Sequence, residues 1–377
     1  MKYCEKCLQV STRPGLLFDE NGVCYGCKWQ EEKENIDWQE RKRELLGICE
    51  SAKRKSNGKF DCVIGVSGGK DSTFQALYAK NELGLNALLV NNVPDPITEI
   101  GRFNLENLVQ HGFDLVSIRT NPNVMKNATK YSFYKYGNIV KPSEYTLYSV
   151  SYQTALAFNI PLIIQGENPG LTLGEAGYHK ADGDALGIKN HRTLGGGNAS
   201  DWIGDGIERK DLLFYQFPDV EKINKAQIKA IYLNYYLKEY SYVNNMEFAI
   251  AHGLRGREEK DLYEAGRYRR YDVLDSNFQV LNQMIKYYKF GFGFATDEAS
   301  YEIREGKITR EKGIELVKKY DGKIGEKYIE EFCKFIDITK EEFWSVVDKY
   351  VNRRLFEKDT KTGKWIPQFS VGVDFEG

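Results

Sequence analysis

Two short stretches carry residue types that could do chemistry. In the first, Ser67-Gly68-Gly69-Lys70-Asp71-Ser72 follows the apolar run Val63-Ile64-Gly65-Val66 and runs straight into a helical pattern. A helix start has unpaired N–H groups and a partial positive charge, so it suits an oxyanion such as phosphate. Glycines let the backbone wrap the anion, the lysine adds charge, and the serine hydroxyls donate hydrogen bonds. The spacing is not that of a Walker A loop, because Gly65 to Gly69 encloses three residues and Asp71 follows Lys70. Nor is it G-x-G-x-x-G, so dinucleotide binding has no support.

The second stretch is Cys4-x2-Cys7 and Cys24-x2-Cys27, with sixteen residues between the pairs. Two thiolates three positions apart can turn inward from one knuckle, and two knuckles complete a tetrahedral Zn²⁺ site. Saturation by four thiolates makes such a site structural. Two disulfides or an iron–sulfur cluster are the alternatives, and a reducing compartment disfavours the disulfides. Cys49, Cys62 and Cys333 are isolated and read as small buried side chains.

The elements that must position these residues can be sketched from periodicity. Residues 1–30 form the cysteine module, and 31–58 a charged connecting helix that ends at Asn57-Gly58. From Phe60 short apolar runs at 61–66, 87–93, 114–118 and 161–165 alternate with helical patterns near 72–83, 98–111 and 143–158. That alternation predicts an α/β fold with a doubly wound parallel sheet over 59–215. Ligands of such sheets lie beyond the carboxyl ends of the strands, where Ser67–Ser72 and Glu167-Asn168 both fall. Residues 166–206 are rich in Gly, Asp and Asn and read as a substrate loop, with His179 and His191 within it. From 216 onward the chain reads as mainly helical, with a helix from Lys222 through the following apolar run and others at 277–289, 309–319 and 326–336.

Bulk composition sets outer bounds. The chain has 377 residues, with Lys+Arg 53 against Asp+Glu 54 and a formal net charge of −1. Such balance gives no global attraction to nucleic acid. No run of about 18 apolar residues suggests a membrane span, and MKYCEKCLQV lacks an apolar signal region, so a cytoplasmic protein is expected.

Ser-Gly-Gly-Lys-Asp-Ser resembles the pyrophosphate loop (PP-loop) of the N-type ATP pyrophosphatases, which cleave ATP between the α and β phosphates and adenylylate a substrate oxygen. The resemblance implies ATP and Mg²⁺ as ligands. It implies phosphate contacts from Ser67, Gly68, Gly69, Lys70 and Ser72, with Asp71 holding Mg²⁺ or orienting the loop and adenine near Val66 and Asn91. Over nearly its whole length the chain is similar to the N-acetyl sugar amidotransferases of surface-polysaccharide and flagellin-glycan biosynthesis. That similarity rests on MKYCEKC…TRPGLLFDENGVCYGC, IIQGENP, KYYKFGFGFATDEAS and YEIREGKITREKGIELVKKYDG. One departure is Phe294, where the family pattern calls for a basic residue.

The family resemblance implies conversion of an acetamido group, on a nucleotide-linked sugar, to an acetamidino group. Ammonia would come from solution or from a separate glutaminase subunit, since no glutaminase motif is present. Lys70, Asp71, Glu167 and Asp297 are then the catalytic candidates, and Glu167, Asn168, Lys289 and Thr296 the substrate-binding ones. From sequence alone Glu167 and Asn168 fit equally well as turn residues before Pro169. The basic run at 255–270 is left unassigned. A transfer-RNA thiolase is the alternative, because some combine zinc knuckles with SGGKDS, but the only cysteine downstream of the loop is Cys333.

Overall fold

A computed structural model describes residues 1–94, 96–175, 182–188, 199–204 and 206–376. The second cysteine pair leads directly into helix α1 (Tyr25–Glu32), and α2 (Trp38–Ser56) follows after a break. The expected single connecting helix is therefore two. Asp37 causes the split by capping α2, accepting bonds from the Gln39 and Glu40 N–H groups, and Asn57 ends α2 in the left-handed conformation.

Next come β1 (Cys62–Gly65), α3 (Lys70–Asn81), β2 (Ala87–Asn92), α4 (Glu99–Gln110) and β3 (Asp114–Ile118). They are followed by α5 (Pro122–Tyr136), α6 (Lys141–Phe158), β4 (Leu162–Gln165) and the single turn α7 (Pro169–Thr172). After α8 (Val220–Lys225) the chain forms β5 (Lys229–Tyr232). All pairings in the resulting sheet are parallel, in the order β3-β2-β1-β4-β5.

Alternate residues of each strand face opposite layers. Ile64, Leu89 and Ile164 pack against Cys49 of α2, Phe74 and Leu77 of α3 and Leu108 of α4. Val63, Leu88 and Ile163 pack against Val150, Tyr152 and Ala155 of α6. Both faces of the sheet are covered, which is why the strands read as short apolar runs.

One expectation fails inside the apolar stretch after Lys222. The helix stops at Lys225, Gln227 turns with φ +53°, and Lys229–Tyr232 joins the sheet edge. Lys229-Ala230-Ile231-Tyr232 is too short for periodicity to separate a strand from a helix, and pairing with β4 decides the matter. Within 166–206, Asp184 bridges Ile231 of β5, while His179 and His191 lie outside the described residues.

The remaining chain is helical: α9 (Tyr242–Ala251), α10 (Asn277–Phe290), α11 (Phe294–Arg304), α12 (Arg310–Tyr320), α13 (Glu326–Ile336) and α14 (Lys340–Tyr350), then a small hairpin of β6 (Phe356–Lys358) and β7 (Trp365–Pro367). Its core is aromatic. Phe133 of α5 stacks on Phe343 at 5.4 Å and meets Phe332 edge-on, so α5 belongs as much to this layer as to the sheet. No helix among the described residues is long and apolar enough to cross a membrane.

Candidate active site

The strand order reverses between β1 and β4, and the crevice beyond their carboxyl ends is where such sheets hold ligands. The glycine loop leaves β1 there, and Glu167 leaves β4 beside it. Gly68 has φ +73°, and a Cβ on it would stand 3.1 Å from both the Gly101 carbonyl oxygen and Asn104 Cβ. Backbone angle and close packing on α4 both require glycine at that position. Gly69 caps α3, and the first-turn N–H groups of Lys70, Asp71 and Ser72 have no partner within the helix. Ser72 Oγ donates to the Gly69 carbonyl at 3.1 Å. Asn91 Nδ2 donates 2.7 Å to the Val66 carbonyl and so fixes the end of β1. The Oδ1 atoms of Asn91 and Asn92 are buried with no hydrogen-bond partner.

A cavity of about 390 Å³ opens in front of the loop. At one end Lys70 Nζ lies 2.6 Å from Asp71 Oδ2 and 2.9 Å from Asp272 Oδ1, with the Tyr242 ring centroid at 4.5 Å. Burial pulls the Lys70 ammonium down, but the Asp272 and Asp71 charges overcome it and hold the group protonated. Two residues of α9 brace this cluster. Tyr242 Oη donates 2.5 Å to Asp272 Oδ2, and Asn245 Nδ2 donates 2.9 Å to Asp71 Oδ1. Glu167 faces the cavity within the protein. Burial first, and then the Asp71 charge, push its carboxyl up to about 7 against the pull of Lys70.

The other end inverts the arrangement, with cations around a carboxylate. Asp297 of α11 forms an ion pair with Arg13, lies 2.8 Å from Lys286 Nζ, and accepts a 2.8 Å bond from Gln9 Nε2. Against the upward pull of burial, Arg13 and Lys286 hold Asp297 below the usual carboxylate range. Lys289, one turn along α10 from Lys286, donates to the Tyr136 and Gly137 carbonyls at 2.7 and 3.3 Å. Burial alone lowers it to about 8.

The cavity thus brings together Lys70, Asp71, Glu167, Lys289 and Asp297. Thr296 and Asn168 do not border it. Thr296 Oγ1 donates 2.6 Å to Asp321 Oδ2, while Asn168 caps α7 through Gly170 N–H and donates 3.0 Å to the Asp182 carbonyl. Asp272, Arg13, Glu298 and Glu144 join the lining without having been singled out in the sequence. Glu144 is pushed up to about 8 by burial, relieved in part by Lys141. The Arg267 guanidinium lies 4.3 Å from the centroid of Phe294, so a cation from the unassigned basic run stands against a ring that lines the cavity.

Beside the cavity, the Sγ atoms of Cys4, Cys7, Cys24 and Cys27 lie within 4.8 Å of one another and are all buried. Cys4–Cys27 and Cys7–Cys24 are 3.8 and 3.6 Å apart. A tetrahedron with Zn–S of about 2.3 Å has edges of about 3.8 Å, so the four sulfurs fit a metal such as zinc. Cys24 N–H and Gln9 N–H point at Cys4 Sγ and Cys7 Sγ, at 3.2 and 3.4 Å. The other three cysteines are buried elsewhere, as expected.

No curated protein matches the chain. Residues 265–367, which carry α10 to α14 and therefore Lys286, Lys289 and Asp297, match the family model of the C-terminal domain of LPS biosynthesis protein WbpG-like proteins.

Proposed function

We propose that the protein is a PP-loop enzyme of lipopolysaccharide or related surface-glycan biosynthesis, one that converts an acetamido group on a nucleotide-linked sugar to an acetamidino group at the expense of ATP. The observation that carries this reading is the Ser67–Ser72 loop opening on a cavity whose far wall belongs to the segment matching the LPS biosynthesis family. Ser67, Gly68, Gly69 and Ser72 with the α3 N–H groups would hold the phosphates, and the unpaired Asn91 and Asn92 oxygens at the end of β2 suit the amino group of adenine. Asp71 would hold Mg²⁺ with the phosphates. Zinc at the four cysteines would be structural.

An amide oxygen is a poor leaving group, and adenylylation corrects that. The acetamido oxygen attacks the α-phosphorus, the bond to the β-phosphate breaks, and pyrophosphate leaves. Ammonia then adds at carbon and the C–O bond breaks, so the original carbonyl oxygen departs in AMP. Lys70 stabilises charge developing on phosphate, at a fixed position that costs no reorganisation. Glu167, poised near neutrality, takes a proton from the incoming nitrogen. Arg13, Lys286 and Lys289 suit the anionic part of the substrate, and Asp297 keeps two of them in place. Ammonia from solution or from a partner glutaminase is compatible with this scheme. No cysteine lines the cavity among the described residues, which favours nitrogen over sulfur as the nucleophile.

The test is incubation of the purified protein with Mg-ATP, ¹⁵N-ammonium and a panel of nucleotide-activated acetamido sugars carrying a carbonyl ¹⁸O. A sugar gaining ¹⁵N while its ¹⁸O appears in AMP supports the proposal. AMP formation driven by RNA in place of sugar would replace it with the thiolase reading.

A further inference from the structure

We propose that Arg304 is a positioning residue that ties the four-cysteine centre to the Glu167 wall of the cavity, so that metal held at the cysteines keeps that wall in place. Arg304 is the last residue of α11, whose first turn carries Asp297. Its Nη2 lies 3.3 Å from Cys24 Sγ and 3.6 Å from Cys7 Sγ, and its Nη1 donates 2.9 Å to the Thr172 carbonyl. Thr172 ends α7, five residues after Glu167 and three before Glu175, and both glutamates line the cavity.

Two glycines make the junction tight. A Cβ on Gly26, between Cys24 and Cys27, would stand 2.7 Å from the Arg304 guanidinium. A Cβ on Gly174 would stand 2.6 Å from the Gly26 nitrogen. Leu16 also pairs with Glu175 as an isolated antiparallel bridge. Behind the wall, Gly26, Thr172, Arg304 and Glu167 share a small space of about 50 Å³.

Among the described residues Arg304 has no carboxylate within ion-pair distance, so the sulfurs are its counter-charge. A divalent metal with four thiolates carries a net charge of about −2 and fixes those acceptors in space. Withdrawing the metal frees the sulfurs from one another, and a partly buried guanidinium without a fixed counter-charge is costly to keep in place. The contact to Thr172 then goes, and the Glu167–Glu175 segment loses its anchor. The inference concerns the cavity wall and holds whichever reaction the cavity performs.

The test is hydrogen–deuterium exchange of the full chain, which needs no turnover, on the zinc-loaded wild type, on Arg304→Met and on protein treated with a chelator. With metal content unchanged, Arg304→Met is expected to raise exchange about tenfold in peptides covering 167–175 and leave β1 and β2 peptides unaltered. Chelation should reproduce that pattern. In cobalt-substituted protein the sulfur-to-cobalt charge-transfer band should shift on Arg304→Met, a change that loss of packing alone would not give. Arg304→Gln, similar in shape but neutral, serves if the Met variant does not fold. Wild-type exchange at 167–175 in a folded, zinc-loaded Arg304 variant would overturn the proposal, as would an unaltered cobalt spectrum.

Discussion

The two ends of the cavity solve opposite electrostatic problems with the same residue types. At the glycine loop, carboxylates surround one lysine. Across the cavity, an arginine and a lysine surround one aspartate, and a second lysine, Lys289, meets carbonyls and aromatic rings but no carboxylate among the described residues. The consequence appears in the protons. Lys70 is held charged, whereas Lys289 falls to about 8 and Glu167 rises to about 7. Groups with opposite charges beside them stay ionised, and buried groups without enough opposite charge shift toward neutrality. The difference separates groups whose charge is fixed by a partner from groups whose protonation can change near neutral pH.

Removing the central charge at each end should give unlike phenotypes. Lys70→Ala is expected to lower AMP formation by about 10²–10³-fold or more while the fold survives, measured by product chromatography beside circular dichroism. Activity within a few-fold of wild type would break the assignment of this end as the reacting one. Asp297→Ala leaves Arg13 and Lys286 buried without their partner, and about 3–5 kcal/mol of stability should be lost in urea titration. A loss under about 1 kcal/mol would mean that the far end does not depend on that carboxylate.

Lys289→Gln should spare stability and raise KM for the anionic sugar substrate about tenfold or more with little change in kcat, the mark of a group that binds without reacting. The smallest effect is on pH. If Glu167 accepts a proton, turnover should climb as pH rises through about 7, and Glu167→Gln should flatten that limb. The stability sign is the reverse. A carboxyl whose pKa is raised from 4.5 to about 7 by folding binds its proton more tightly in the native state. Its ionisation therefore disfavours the fold as pH climbs through that window. Melting temperatures of wild type and Glu167→Gln should diverge in favour of the Gln variant at about pH 8 and converge at about pH 4.

The glycine-loop end of the cavity was largely legible in the sequence because it is local. Ser67–Ser72 is contiguous, and Glu167 follows a strand whose parallel pairing brings it alongside. The four cysteines were legible for the same reason, since ligand spacing sets their geometry. The far end was legible only in part. Asp297 meets Arg13 across 284 positions, so no window along the chain contains the pair. Asp272 sits just beyond the unassigned basic run at 255–270, yet it supplies the second carboxylate on Lys70. Asn168 and Thr296, picked out by proximity to conspicuous motifs, turn instead to local caps and to Asp321. Strand β5 was missed because four residues, one of them a lysine, are too few to show a period of their own.

The Arg267–Phe294 contact has a consequence for how this cavity wall can vary. Arg267 is fully enclosed, and its guanidinium stacks on the ring at the cavity wall, 27 positions earlier in the chain than Phe294. Neither residue can then drift alone. Arginine at 294 would set two like charges against each other, and a neutral side chain at 267 would remove the charge that stands behind this ring. Substitutions at these two positions should therefore be tolerated as exchanges and penalised singly, a form of epistasis that no single-site scan would reveal.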